Sequence, residues 1–249
     1  KNFQIDSRKV SKNSVFFGLS GSNEDGSIYA LDAIKKGASL VIVKKKKDSN
    51  HTFTSSKIIQ VKSPERFLIE AARIAMRRYE GKIIGITGSN GKTTTKNILN
   101  SCINNSYSTF ENFNNEIGLP LCALELDSRK STAIFEMGAA KSGDIDLLSK
   151  IINPKIGIIT HIGHSHLEGL SSINGVLKVK SELIKNITKN GIAIVPDGKY
   201  LNYWKRMRKD ITFFSFGRKS SASYFPSQIK MSRNGLSFYI ESSNLKKRV

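Results

Sequence analysis

The segment Lys82-Ile83-Ile84-Gly85-Ile86-Thr87-Gly88-Ser89-Asn90-Gly91-Lys92-Thr93-Thr94-Thr95 constrains the fold more than any other. An isoleucine-rich run reads as a buried strand, a glycine turn follows, and a helix is expected from Lys92 to about Asn104. A strand that enters a glycine turn and reopens as a helix aims backbone N–H groups at an anion. Gly88, Ser89, Asn90, Gly91, Lys92, Thr93 and Thr94 are therefore the candidate cradle for the phosphates of ATP. Gly88 and Gly91 let the backbone bend, Lys92 can reach the β- and γ-phosphates, and the Thr93 hydroxyl can bind Mg²⁺. The form is shortened, because the first glycine of the usual P-loop falls at Ile86. The strand–loop–helix setting carries more of the signal than the Gly-x-x-Gly-Lys-Thr spacing.

The rest of the chain is arranged to suit such a loop. Short apolar strands are expected at residues 14–19, 40–43 and 57–61, with helices at 27–36 and from Pro64 to about Tyr79. Gly37 closes the first of these helices, and Ser63 caps the second. A domain boundary is expected at Glu80-Gly81. Beyond it, strands at 82–87, 132–137, 155–160, 191–195 and 211–214 alternate with helices at 144–152, 173–189 and 199–207. That alternation implies an α/β fold with a mainly parallel sheet, whose ligands bind beyond the carboxyl ends of the strands. Residues 223–249 read as two or three antiparallel strands around Asn234-Gly235.

Charge and cysteine content narrow the classes of function. Lys and Arg number 40 against 20 Asp and Glu, a net charge of +20. Such an excess can serve nucleic acid or a membrane surface. Here it is dominated by Lys and spread along the chain, and its one run, at residues 44–47, has no interleaved aromatics for stacking single strands. The expectation is a solvated surface that attracts nucleotides, with no nucleic-acid partner. No apolar run approaches the roughly 20 residues needed to span a bilayer, so no membrane insertion is expected. Two cysteines, Cys102 and Cys122, without metal-type spacing suit a reducing cytoplasm. The opening Lys1-Asn2-Phe3-Gln4 and the closing Lys-Lys-Arg-Val suggest a piece that begins inside its gene product and is cut short.

Further chemistry-bearing residues fall at strand ends. Glu136, after an apolar strand, can offer Mg²⁺ a carboxylate oxygen. His161, His164 and His166 follow the next strand; their spacing fits no common zinc pattern, and spacing alone cannot choose among them. The helix carrying Lys178, Lys180 and Glu182 reads by itself as a charged face, and Asn112, Asn114 and Asn115 before Gly118 and Pro120 as a polar turn.

Taken in order, these pieces resemble the Mur ligase family, the ATP-dependent amide-forming enzymes of peptidoglycan precursor synthesis. The resemblance runs through Asp6-Ser7-Arg8, Val15-Phe16-Phe17-Gly18-Leu19-Ser20-Gly21, Asp25-Gly26 and Gly37-Ala38. It continues through the glycine turn and Asn112-Phe113-Asn114-Asn115-Glu116-Ile117-Gly118-Leu119-Pro120. Glu136-Met137-Gly138-Ala139, Gly143-Asp144-Ile145, His166-Leu167-Glu168 and Lys178-Val179-Lys180-Ser181-Glu182 complete it. The resemblance implies a small N-terminal α/β domain binding UDP-MurNAc over residues 1–80. It implies a P-loop ATPase domain over 81–249, incomplete at its end, with the family's third domain missing and turnover correspondingly poor.

The resemblance also assigns roles. Lys92, Lys180 and His166 become catalytic; Thr93, Glu136 and His166 become Mg²⁺ ligands; and Lys180 aligns with a lysine that is carbamylated in many relatives. Ser7 and Arg8 are assigned to the uridine nucleotide, and Asn112 and Asn115 to the sugar-peptide or nucleotide. Within the family the motifs look like those of the member that joins D-alanyl-D-alanine to UDP-MurNAc-tripeptide through an acyl phosphate. The ligase before it, which adds the third amino acid, usually carries a Glu-Val-Ser-Ser-His sequence that is absent here. A folylpolyglutamate synthase lacks a counterpart of the Asp6-Ser7-Arg8 unit, and a basic P-loop protein binding nucleic acid is the alternative from another class. A monomer is expected.

Overall fold

The computed structural model describes residues 2–21, 24–45, 55–110, 112–163, 172–233, 235–242 and 245–248. The chain divides into two compact units. The first is Lys1–Glu80 together with Thr109–Arg129, and the second is Gly81–Ser108 with Lys130–Val249.

The first unit is built on a four-stranded parallel sheet in the order β1 (Phe3–Gln4), β2 (Val15–Phe17), β3 (Leu40–Lys44), β4 (Ile58–Val61). Because successive strand residues face opposite ways, Phe16 and Phe17 enter different cores. Phe16, Val41 and Val43 pack with Val10, Ala38 and with Ala30 and Ala33 of α1 (Ala30–Lys35). Phe17 and Ile42 pack with Leu68 of α2 (Pro64–Arg77) and Leu121 of α4 (Gly118–Glu125). The Ser63 hydroxyl caps α2 by accepting the Arg66 N–H at 3.2 Å, and Pro64 occupies a position where a missing N–H costs nothing.

The Thr109–Arg129 excursion departs from a boundary drawn once at residue 80. Its helix α4 buries Leu119, Pro120, Leu121, Cys122 and Ala123. A helix that is apolar on nearly every side carries no stripe in sequence to say which sheet it covers. Leu121 supplies that answer by completing the Phe17–Ile42–Leu68 cluster.

The second unit is the expected mainly parallel sheet. Its order is β10 (Thr212–Phe216), β9 (Ile192–Pro196), β8 (Ile156–Ile159), β5 (Lys82–Thr87), β7 (Thr132–Glu136), β6 (Ser106–Ser108), with every pairing parallel. After β5 the chain runs out to β6 and back through β7; after β8 it runs the other way, through β9 to β10. The order therefore reverses between β5 and β8, and the crevice beyond their carboxyl ends is where such sheets bind ligands. Ile84, Ile86, Ile134 and Ile158 form one face of the core, against Leu99 of α3 (Lys92–Cys102) and Ile103 beyond its end. Strands β1 and β6, two and three residues long, have no apolar alternation to announce them.

On the far side, α5 (Asp144–Ile152) packs against α6 (Ile173–Asn186). Ser172 caps α6 by accepting the Gly175 N–H at 3.1 Å. At the other end the Arg208 guanidinium donates to the carbonyls of Ile184, Lys185 and Ile187 while its remaining nitrogens hold Asp210. The buried indole of Trp204, on α7 (Leu201–Met207), donates to the Ser181 hydroxyl at 2.7 Å. Helix α6 is thus pinned at both ends and in the middle. The C-terminal strands β11 (Phe225–Ser232), β12 (Gly235–Ser242) and β13 (Leu245–Arg248) form an antiparallel sheet, as the hairpin signal predicts, although Asn234 lies outside the described residues.

The excursion's allegiance can be tested. Leu121→Ala should cost the first unit about 2–5 kcal/mol, the range for truncating a buried leucine. Amide hydrogen exchange should accelerate in β2, β3 and α2 and stay unchanged in the sheet from β5 to β10. Acceleration confined to that second sheet would contradict the assignment.

Candidate active site

The phosphate-loop candidates sit where the sheet order reverses. Gly88 and Gly91 adopt φ of 153° and 79°, the second in the left-handed region that side chains avoid. Gly91 caps α3 without a side-chain acceptor, so the N–H groups of the first turn point at the space an anion would fill. The loop's carbonyls are turned away and held. Lys92 Nζ donates to the Gly88 carbonyl at 3.0 Å, and the Thr95 N–H to that of Gly91 at 2.9 Å. The segment after β8 supplies the rest. The Thr160 hydroxyl donates to the Asn90 carbonyl at 2.6 Å, and the Ser89 N–H donates to the His161 carbonyl at 2.9 Å. The Ser89 hydroxyl bonds both the N–H and the carbonyl of Gly163 at 3.0 Å.

Glu136 closes β7 and is 2% exposed. The Thr93 hydroxyl donates to its Oε2 at 2.8 Å, and Lys96 Nζ lies 3.9 Å from the same oxygen. A carboxylate this deeply buried is costly unless hydrogen-bonded and paired, and both conditions are met. Because the Thr93 hydroxyl donates its hydrogen bond to Glu136, its oxygen presents lone pairs, so the pair offers a hard cation two kinds of oxygen. These donors fit Mg²⁺. Lys96 was not singled out by any motif. Its only signal in the sequence is the four-residue step from Lys92, which places both lysines on one face of a helix.

Lys180, in α6, is 1% exposed. Burial, and after it the positive charge of Lys92, pushes its pKa down from 10.5 to about 8, while Asp144 and Glu182 pull it back up. Glu182 has a positional task that the charged-face reading missed. Its two oxygens accept the N–H groups of Gly143 and Asp146 at 2.9 Å, closing the N-terminus of α5. Asp144 likewise accepts the N–H groups of Ala140 and Lys141, so the segment that follows Glu136 is held from both sides.

The remaining candidates divide. His166, like His164, lies outside the described residues. His161 is exposed and uses its backbone carbonyl rather than its ring to meet the phosphate loop. Among the described residues no group of three His, Cys, Asp or Glu side chains gathers as a metal site. Ser7, Arg8, Asn112 and Asn115 belong to the first unit. Ser7 is buried in a short 3-10 turn, and its carbonyl accepts Lys36 Nζ at 3.0 Å. Arg8 is exposed and forks onto Asp6, whose carboxyl it lowers to about 2. Asn112 is exposed; the Asn115 side-chain oxygen accepts the N–H groups of Ile117 and Gly118 and so shapes the entry to α4.

Known proteins resemble the chain in sequence and fold. A family model described as the Mur ligase middle domain matches residues 86–248, and one described as Mur ligase family, catalytic domain, matches residues 1–80. The UDP-N-acetylmuramoyl-tripeptide–D-alanyl-D-alanine ligase of Buchnera aphidicola (subsp. Baizongia pistaciae) is 35% identical over 245 residues, covering 96% of this chain and 52% of its own length. Among solved structures, MurF from Acinetobacter baumannii superposes on the whole chain with a TM-score of 0.89 at 28% identity, over 55% of its own length. MurF from Thermotoga maritima in complex with ADP does so with a TM-score of 0.87 at 27% identity, over 57% of its length. The chain spans about half the length of the curated relatives it matches. With one family model covering residues 86–248 and another residues 1–80, the chain belongs to the Mur ligase family.

Proposed function

We propose that this chain carries the nucleotide-binding machinery of an ATP-dependent ligase that joins D-alanyl-D-alanine to UDP-MurNAc-tripeptide. The observation that carries this reading is the 2.8 Å bond from Thr93 to the buried Glu136, one residue beyond Lys92 and at the mouth of the same parallel sheet. The substrates are those in the names of its relatives, which match 88–96% of the chain.

The reaction is phosphoryl transfer followed by amide formation. The peptide carboxylate attacks the γ-phosphorus and displaces ADP, giving an acyl phosphate. The amine of D-alanyl-D-alanine then adds to that carbonyl, and the tetrahedral adduct expels phosphate as the amine loses its proton. Catalysis of this kind is positioning and charge neutralisation. The N–H groups from Gly88 to Thr94 cradle the phosphates, and Lys92 leaves the Gly88 carbonyl to meet them. Thr93 and Glu136 would hold Mg²⁺, with His166, outside the described residues, assigned as a third ligand; the cation would supply charge neutralisation for the transferred group. Ser7 and Arg8 are assigned to the uridine nucleotide, and Asn112 and Asn115 to the sugar-peptide.

Lys180 is suited to carbamylation, because the neutral amine is the form that adds CO₂ and releases a proton. A pKa near 8 makes that form plentiful at mildly alkaline pH. The product is an anion within electrostatic reach of Lys92. The shift also leaves a signature on stability. Between about 8 and 10.5 the unfolded chain binds a proton at this lysine that the folded chain does not, so stability rises with pH across that window. In CO₂-free buffer the gain from this group between pH 7 and pH 10 should be about 2–3 kcal/mol. Chemical unfolding of the parent and of Lys180→Met at both pH values measures it. Equal gains in the two proteins would show that Lys180 is not depressed.

The function itself is tested by ATP-dependent phosphate release with UDP-MurNAc-tripeptide, with and without D-alanyl-D-alanine. Release should require both the tripeptide and the dipeptide, and Lys92→Ala should lower it at least about 1000-fold, as expected when a charge clamp on a transferring phosphoryl group is lost. Release that persists in Lys92→Ala would mean the phosphates bind elsewhere.

A further inference from the structure

A phosphate loop works by turning N–H groups inward, which forces its carbonyls outward, where each needs a donor. Here the Thr87 carbonyl takes the Thr160 N–H at 2.9 Å, that of Gly88 takes Lys92 Nζ, that of Asn90 takes the Thr160 hydroxyl, and that of Gly91 takes the Thr95 N–H. Among these donors Lys92 is the one that bound phosphate draws away, so the Gly88 carbonyl loses its partner when the loop is loaded. A hydroxyl has a single proton; at 2.6 Å from the Asn90 carbonyl and 3.3 Å from that of Thr87, Thr160 spends it on Asn90. The same oxygen fills the space beside Gly88, where an added Cβ would lie 2.0 Å from it.

We propose that Thr160 is a positioning residue for the nucleotide: its hydroxyl fixes the Asn90 carbonyl and so keeps the phosphate loop in its binding shape while Lys92 passes from the Gly88 carbonyl to the phosphates. It touches no reacting atom. It follows the last residue of β8, which pairs with β5 on the side opposite β7, so the loop is held from the side of the sheet edge away from the strand that carries Glu136. The pairing also explains why position 88 must be glycine: a side chain there and the hydroxyl at 160 claim the same volume. The inference rests on the reading of residues 88–94 as the nucleotide's phosphate site.

The test is the affinity of the chain for MgADP, measured by calorimetry on the parent, Thr160→Val, Thr160→Ser and Lys92→Ala, with melting temperature recorded for each without nucleotide. Thr160→Val keeps the shape of the side chain and deletes the donor, and should weaken ADP up to about tenfold, the effect of losing one hydrogen bond. Thr160→Ser keeps the donor and should stay within about twofold of the parent, since its bond is retained. Should Thr160→Val fail to fold, Thr160→Ala makes the same prediction without asking a second methyl to fit. A merely structural role would lower the melting temperature and leave affinity alone. ADP bound by Thr160→Val as tightly as by the parent overturns the inference while Lys92→Ala, having lost ADP, leaves the nucleotide site standing. Equal losses in Thr160→Val and Thr160→Ser overturn it as well, since the hydroxyl would not be the agent. A parent that binds no MgADP sinks both this inference and the site on which it rests.

Discussion

The hydrogen bond from Thr93 to Glu136 ties the first turn of α3 to the end of β7, and the rest of the site is arranged around it. It fixes a carboxylate where the surrounding burial would otherwise make an anion costly, and it orients a hydroxyl whose lone pairs remain free for a hard cation. Parallel strands make this possible, because neighbouring strands deliver their carboxyl ends to the same edge. Segments that are far apart in sequence, after residues 87, 136 and 159, therefore meet at that edge.

Three lysines converge on the same region, and their burial separates their tasks. Lys92 is partly exposed and bonded to the Gly88 carbonyl of its own loop. Lys96 is buried within 3.9 Å of Glu136 and offsets its charge from inside the protein. Lys180 is buried on another helix and is held below the ordinary lysine range by desolvation and by Lys92. Residues that touch no ligand keep these groups in place: Arg208 and Ser172 at the ends of α6, Trp204 at its middle, and Glu182 and Asp144 at the start of α5.

Much of this was legible in the sequence because strands buried on both faces read as isoleucine-rich runs, and glycines at 88 and 91 announce a turn that other residues avoid. The parallel sheet, the glycine turn between β5 and α3, Glu136 at its strand end and the C-terminal antiparallel sheet all followed from such local patterns. What escaped was whatever depends on a partner distant in sequence. Lys96 reads as an ordinary solvated lysine until β7 is laid beside α3. Glu182 reads as part of a charged face until α5 is docked 36 to 39 residues away. The Thr109–Arg129 excursion falls inside the domain expected over 81–249, and only the packing of Leu121 assigns it to the first sheet.

The account stands on nucleotide phosphates and a divalent cation sharing one edge of the six-stranded sheet. Crystals grown with a non-hydrolysable ATP analogue and Mn²⁺ test this most directly, since manganese can be located by its anomalous signal. The account predicts one peak in coordination contact with the Thr93 hydroxyl and the Glu136 carboxylate, with the analogue's phosphates against the N–H groups of residues 88–94 and Lys92 turned toward them. A peak elsewhere, or phosphates bound away from Lys92 while Thr93 and Glu136 touch no metal, would contradict it.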